Sequence, residues 1–156
     1  MPKKKKEISS SNLIKVKPIT EGQKTVFETW KQGKNQFLFG CAGTGKTFVS
    51  LYLAMQDVLS LQTKYEKVIL VRSLIPTREI GFLPGDEEDK AALYQVPYQN
   101  MVKFMFEQPN EQAFNMLYDR LKNQGSLYFL STSFLRGLTF DNSIIIVDEC
   151  QNLNFH

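Results

Sequence analysis

Cysteine is scarce in this sequence: only Cys41 and Cys150 occur among 156 residues. A secreted framework held together by disulfides is therefore excluded as the organising device. No apolar run approaches the roughly 18 residues that a membrane-crossing helix needs. The lysines at the N-terminus have no apolar stretch behind them, so they do not form a signal peptide. Charge of one sign is lacking too. The net charge is +3, and Lys3, Lys4, Lys5 and Lys6 with Glu7 already account for it; the rest of the chain balances. A neutral body with a basic tip is not the footprint of a dedicated DNA-binding domain, which is basic throughout. The lysines read as a solvated tail or as a weak nucleic-acid tether acting through counterion release. With 42% hydrophobic and 22% charged residues, what remains is a soluble, cytoplasmic protein with one core.

Residues 1–14 are expected to be a flexible basic tail, followed by one domain over 15–156. Thr20 and Gln23 have the spacing of a capping box and predict a helix running to Gly33. Gln36-Phe37-Leu38-Phe39 reads as a short buried strand. A helix is expected from Lys46 to Leu61, a strand at 67–71, and helices near 90–107 and 111–123. Further strands are expected at 127–130 and 143–148. The stretch 72–90, with its acidic patch Asp86-Glu87-Glu88-Asp89, reads as irregular. Continuous apolar runs such as Lys67-Val68-Ile69-Leu70-Val71 suit strands covered on both faces, as in a parallel sheet. Strands alternating with helices imply a doubly wound α/β fold.

The chemistry begins at Gly40-Cys41-Ala42-Gly43-Thr44-Gly45-Lys46-Thr47, which fits G-x-x-x-x-G-K-[ST], the phosphate-binding P-loop. Glycines let the backbone curl so that successive N–H groups face phosphate oxygens, beside the positive end of the following helix. Lys46 is placed to neutralise β and γ oxygens, and the Thr47 hydroxyl to ligate Mg²⁺, a hard ion that prefers oxygen. The second element is Ile144-Ile145-Ile146-Val147-Asp148-Glu149, an apolar strand with carboxylates at its end, in the manner of a Walker B strand. Open α/β sheets bind ligands at the C-terminal edge of their strands, so Asp148 and the P-loop should converge there. Asp148 would hold Mg²⁺ through water, and Glu149 would orient and deprotonate an attacking water. Gln23 has two readings that do not exclude each other: a bidentate partner for adenine N6 and N7, or simply the closing member of the capping box.

With these residues in place the chain resembles the PhoH-like proteins, a phosphate-starvation-inducible family of P-loop ATPases with a RecA-like sheet. The resemblance covers residues 15–156 and rests on Gln23, Gly40–Thr47, Val71-Arg72-Ser73, Gly81-Phe82-Leu83-Pro84-Gly85-Asp86, Leu135-Arg136-Gly137-Leu138-Thr139 and Asp148-Glu149-Cys150-Gln151-Asn152. It implies ATP and Mg²⁺ as ligands, with Gln23 on adenine, Lys46 and Thr47 on phosphate and metal, and Asp148 and Glu149 on metal and hydrolysis. Gln151 would sense the γ-phosphate. Arg72 and Arg136 would lie near an RNA-binding edge, although a salt bridge or a carbonyl contact serves Arg136 equally well. Homo-oligomers are implied for the complete protein. Short length and a basic tip are similar to members carried by bacterial viruses, which would place the chain in the host cytoplasm.

Cys41 and Cys150 depart from the proline and alanine that many relatives have, and both are expected at the nucleotide edge. The family also places a strand between the P-loop strand and the Walker B strand, following the latter in sequence. Nothing after Glu149 supplies it, so the resemblance implies an N-terminal part of a longer protein with an incomplete sheet. Its absence would leave backbone groups unpaired, each costing about 1–3 kcal/mol, and make the chain marginal or aggregation-prone. Two rival functions stay open: a P-loop kinase acting on a small molecule, and a nucleotide-binding module without turnover. Kinases of that kind need an arginine-rich lid, and residues 108–140 offer only Arg120 and Arg136.

Overall fold

The computed structural model describes residues 6–72, 87–132, 135 and 137–153, with the backbone alone for 87–91. Four helices and three strands follow one another as α1 (Glu21–Lys31), α2 (Lys46–Leu59), β1 (Lys67–Arg72), α3 (Glu87–Phe106), α4 (Glu111–Asn123), β2 (Leu127–Ser131) and β3 (Ser143–Asp148). The strands form one parallel sheet in the order β2-β1-β3. Register aligns Val68 with Leu127 and Ile144, and Arg72 with Ser131 and Asp148. This is the expected α/β architecture. The blocks at Ser73, Gly81–Asp86 and Arg136 lie outside the described residues.

β1 is central because its apolar run can be covered on both sides. Val68, Ile69, Leu70 and Val71 are all buried, and alternation sends Val68 and Leu70 to one face and Ile69 and Val71 to the other. Val68 and Leu70 belong to the main core with Leu51, Tyr52, Met55 and Val58 of α2. Val102 and Met105 of α3 and Leu121 of α4 complete it. Phe114 and Tyr118 are also buried there, their ring centroids 5.6 Å apart, so the aromatics of α4 are core.

Two expectations are corrected. The flexible tail does not extend over residues 6–14. Ile8 and Leu13 are buried, the Ile14 N–H donates to the Met105 carbonyl at 2.8 Å, and Glu7 pairs with Arg120 at 2.9 Å. Lys6 donates to the Glu66 carbonyl and, at 2.8 Å, to the hydroxyl of the buried Ser126. The Tyr52 hydroxyl donates to the Ile14 carbonyl at 2.9 Å and accepts from the Val16 N–H at 3.1 Å. Burial of two apolar side chains and satisfied backbone groups outweigh the absence of any helical or strand period.

Residues 36–39 are not in a strand, and Phe37 and Phe39 are 75% and 86% exposed. A strand is made by its backbone partner, and among the described residues none pairs with this run. Among the described residues no strand pairs with the far side of β3 either, and Ile145 and Val147, on one face of that strand, are exposed.

Helix α1 begins as its sequence dictates. The Thr20 hydroxyl accepts the Gln23 N–H at 3.2 Å, and Gln23 Oε1 accepts the Thr20 N–H at 3.4 Å. Thr20→Ala should destabilise the protein by about 1 kcal/mol, the usual worth of an N-cap hydroxyl. A shift in the urea midpoint at constant slope would measure it, and an unchanged midpoint would refute it.

Candidate nucleotide site at the C-terminal edge of the sheet

Three positive backbone angles shape the loop between residue 40 and α2: Gly40 (φ 148°), Gly43 (φ 75°) and Gly45 (φ 83°). Side chains with a Cβ are strained in these conformations, so glycine is what permits the curl. Gly45 is the residue before α2, and no side chain caps the helix there. The first-turn amides of α2 are thus presented at the loop with the positive end of the helix dipole behind them, an arrangement suited to an anion. Lys46 arches over the same loop, donating to the Gly40 and Cys41 carbonyls at 3.0 and 2.7 Å. The Thr44 hydroxyl also donates to the Cys41 carbonyl, at 2.9 Å. Cys41 and Ala42 contribute backbone to the curl, and both are exposed.

The Thr47 hydroxyl donates to Asp148 Oδ1 at 3.1 Å. Residues 101 positions apart in sequence therefore meet where the start of α2 faces the end of β3. Asp148 Oδ2 accepts a second hydrogen bond, from the Tyr98 hydroxyl of α3 at 2.6 Å. Tyr98 in turn receives an N–H from Arg72 at 3.3 Å. The Arg72 guanidinium lies over the rings of Tyr94 and Tyr98, 5.3 and 5.9 Å from their centroids. Burial pushes the Tyr98 phenol well above its ordinary pKa, and its hydrogen bond to the Asp148 carboxylate pushes the same way; the Arg72 charge opposes both. Tyr98 is therefore a proton donor to Asp148 throughout the neutral range.

Glu149 follows at φ 52° and ψ 40°, a left-handed conformation that costs a non-glycine residue about 1–2 kcal/mol. Strain of this kind concentrates where geometry serves function. Its Oε2 accepts the Gln151 amide at 2.5 Å across the short 3₁₀ turn Cys150–Asn152. Gln23 touches the loop as well: its Nε2 donates to the Thr44 carbonyl at 3.2 Å while its Oε1 closes the cap of α1. Both cysteines are free; Cys41 is exposed and Cys150 half-buried.

The structure thus gathers Gln23, Gly40–Thr47, Arg72, Asp148, Glu149 and Gln151 at one edge. Arg72 is held against two tyrosines. Sequence reasoning missed Tyr98 and Tyr94. Their only signal is two tyrosines one helical turn apart, indistinguishable in sequence from core aromatics.

For a divalent metal, Thr47 and Asp148 offer one hydroxyl and one carboxylate. No cluster of three or more His, Cys, Asp or Glu side chains occurs among the described residues. That sparse, all-oxygen set fits Mg²⁺, which takes one or two protein ligands and fills its shell with phosphate oxygens and water. It does not suit a soft metal. A cleft of about 260 Å³ lined by Trp30, Asn35, Asp57, Tyr65, Ser143 and Ile145 lies elsewhere, at the opposite end of β3.

A parallel α/β sheet with a glycine curl at a helix start and a carboxylate opposite it defines the class: the P-loop NTPase fold. A family model described as "PhoH-like protein" matches residues 15–156. The chain belongs to the PhoH family, a family of P-loop ATPases. It is similar to protein PhoH2 of Bacillus subtilis strain 168, 31% identical over 120 residues, which are 76% of this chain and 26% of that protein. A PhoH-like protein of the same organism is 31% identical over 140 residues, 89% of this chain and 40% of that one. Protein PhoH of Escherichia coli K12 is 32% identical over 119 residues, 75% of this chain and 31% of that protein. The chain therefore spans well under half the length of each of these relatives. No helix among the described residues is long and apolar enough to cross a membrane.

Proposed function

We propose that this chain binds ATP with Mg²⁺ at the C-terminal edge of its sheet and supplies the residues for hydrolysing it. The observation that carries the reading is the approach of the Thr47 hydroxyl to Asp148 Oδ1 at 3.1 Å, directly beside the amide-lined loop. Loop amides and the Lys46 ammonium bind and orient the phosphates, offering charge-assisted bonds stronger than those Lys46 makes to the carbonyls. Mg²⁺ would supply neutralisation of the phosphate charge. Asp148 and Thr47 are the residues that would hold it. Glu149 orients a water and accepts its proton, with Gln151 steadying the carboxylate. Gln23, which the family resemblance assigns to adenine, is fixed to both α1 and the loop.

RNA as a stimulating partner and assembly into homo-oligomers belong to the same proposal and rest on the family alone. Phosphate release with no phosphorylated acceptor distinguishes hydrolysis from a kinase reaction, and binding without release marks a non-hydrolysing module.

The direct test is Lys46→Ala. Losing hydrogen bonds from a charged donor costs about 1.5–3 kcal/mol, so ATP affinity should fall roughly 10- to 100-fold while the melting temperature stays put. Titration with a fluorescent ATP analogue reads it, and full retained affinity would remove the proposal.

A further inference from the structure

The loop and the Asp148-Glu149 pair leave one feature unexplained: a tyrosine and an arginine stacked behind the carboxylate. We propose that Tyr98 is a positioning residue for metal binding, fixing the rotation of the Asp148 carboxylate so that Oδ1 faces Thr47. The proposal rests on the ATP–Mg²⁺ reading of the site and deepens it.

The geometry makes the argument. Among the described residues each oxygen of Asp148 has one donor: Thr47 at 3.1 Å on Oδ1 and Tyr98 at 2.6 Å on Oδ2. The register places Arg72 beside Asp148 on the neighbouring strand. A guanidinium on the adjacent strand is a natural bidentate partner for a carboxylate, and such a pair would draw Asp148 away from Thr47. Tyr98 intervenes. Its hydroxyl accepts the Arg72 N–H at 3.3 Å and passes its own hydrogen to Asp148. The rings of Tyr94 and Tyr98 hold the guanidinium by cation–π contact. The Arg72 charge is thereby kept one residue back from the oxygens that a divalent ion needs.

Tyr98 can hold this position because it is anchored. It is 5% exposed, and its ring packs against Phe129 of β2 at 5.6 Å between centroids. Groups that orient a ligand are typically worth 10- to 100-fold in metal affinity.

The test is Tyr98→Phe, which keeps the ring and removes only the hydroxyl. Manganese serves as the probe, titrated by electron paramagnetic resonance in the presence of a non-hydrolysable ATP analogue. Analogue affinity in EDTA and the thermal melt are measured alongside. The expected result is a loss of about ten-fold in Mn²⁺ affinity, with the EDTA affinity unchanged. A double variant with Asp148→Asn should show no additional loss from Tyr98→Phe, because the hydroxyl acts through that carboxylate. Unchanged Mn²⁺ affinity in Tyr98→Phe, or a loss that persists undiminished in the Asp148→Asn background, would overturn the proposal. If the unsubstituted protein with the analogue took up no manganese, the ATP–Mg²⁺ reading itself would fail, and this inference with it.

Discussion

Replacing Glu149 by glutamine should leave ATP bound and reduce its hydrolysis by about 10²–10⁴-fold, the usual worth of a general base. Glutamine matches glutamate in size and retains an acceptor for the Gln151 amide, so the turn Cys150–Asn152 should keep its shape. What disappears is the capacity to take a proton from water. Glu149 is not part of the Thr47–Asp148 contact, so nucleotide and metal affinity should change little. Single-turnover phosphate release, set beside nucleotide titration, separates the two effects. Hydrolysis at the unsubstituted rate would remove Glu149 from the chemistry and leave its left-handed backbone without a functional reason.

The second large effect concerns the core. Leu51→Ala should destabilise the protein by about 2–5 kcal/mol, the range for truncating a buried leucine. Leu51 is fully buried and lies one helical turn beyond Thr47 on α2. Removing its side chain loses apolar transfer energy and leaves a void that β1 and α3 cannot close without moving. Native stability is typically about 5–15 kcal/mol, so the variant should sit close to its unfolding threshold and regain stability when ligand is added. The control is Leu61→Ala, just past the same helix but 57% exposed, where the change should stay within about 0.5 kcal/mol. Urea denaturation of both variants gives the comparison, and equal losses would show that α2 is not the centre of the core.

Much of this was legible in the sequence because the relevant signals are local. Thr20 and Gln23 announce a helix start through their own hydrogen bonds. Apolar runs at 67–71, 127–130 and 143–148 declare strands: the central one is buried on both faces, as suits a parallel sheet, while Ile145 and Val147 of β3 stay exposed. The meeting of Thr47 with Asp148 follows from two local motifs and one rule about sheet edges. Other features depend on partners that the sequence does not name. Phe37 and Phe39 look like a strand, yet a strand exists only when another backbone pairs with it. Ile8 and Leu13 carry no period, and only the groove they fill shows that they belong to the core. Tyr98 reads as another aromatic on a helix until Asp148 is seen beside it. Pro97, immediately before Tyr98 within α3, removes a helical hydrogen bond at that point, and its placement has no explanation in the sequence.

Among the described residues no strand pairs with the outer flank of β3, and that matters for anyone building on this chain. Amides and carbonyls along a sheet edge are a template for a stretch of polypeptide that lies flat against them. An affinity tag or fusion linker rich in valine and threonine would tend to add itself along that edge. A leash broken by proline or studded with lysine would be turned away.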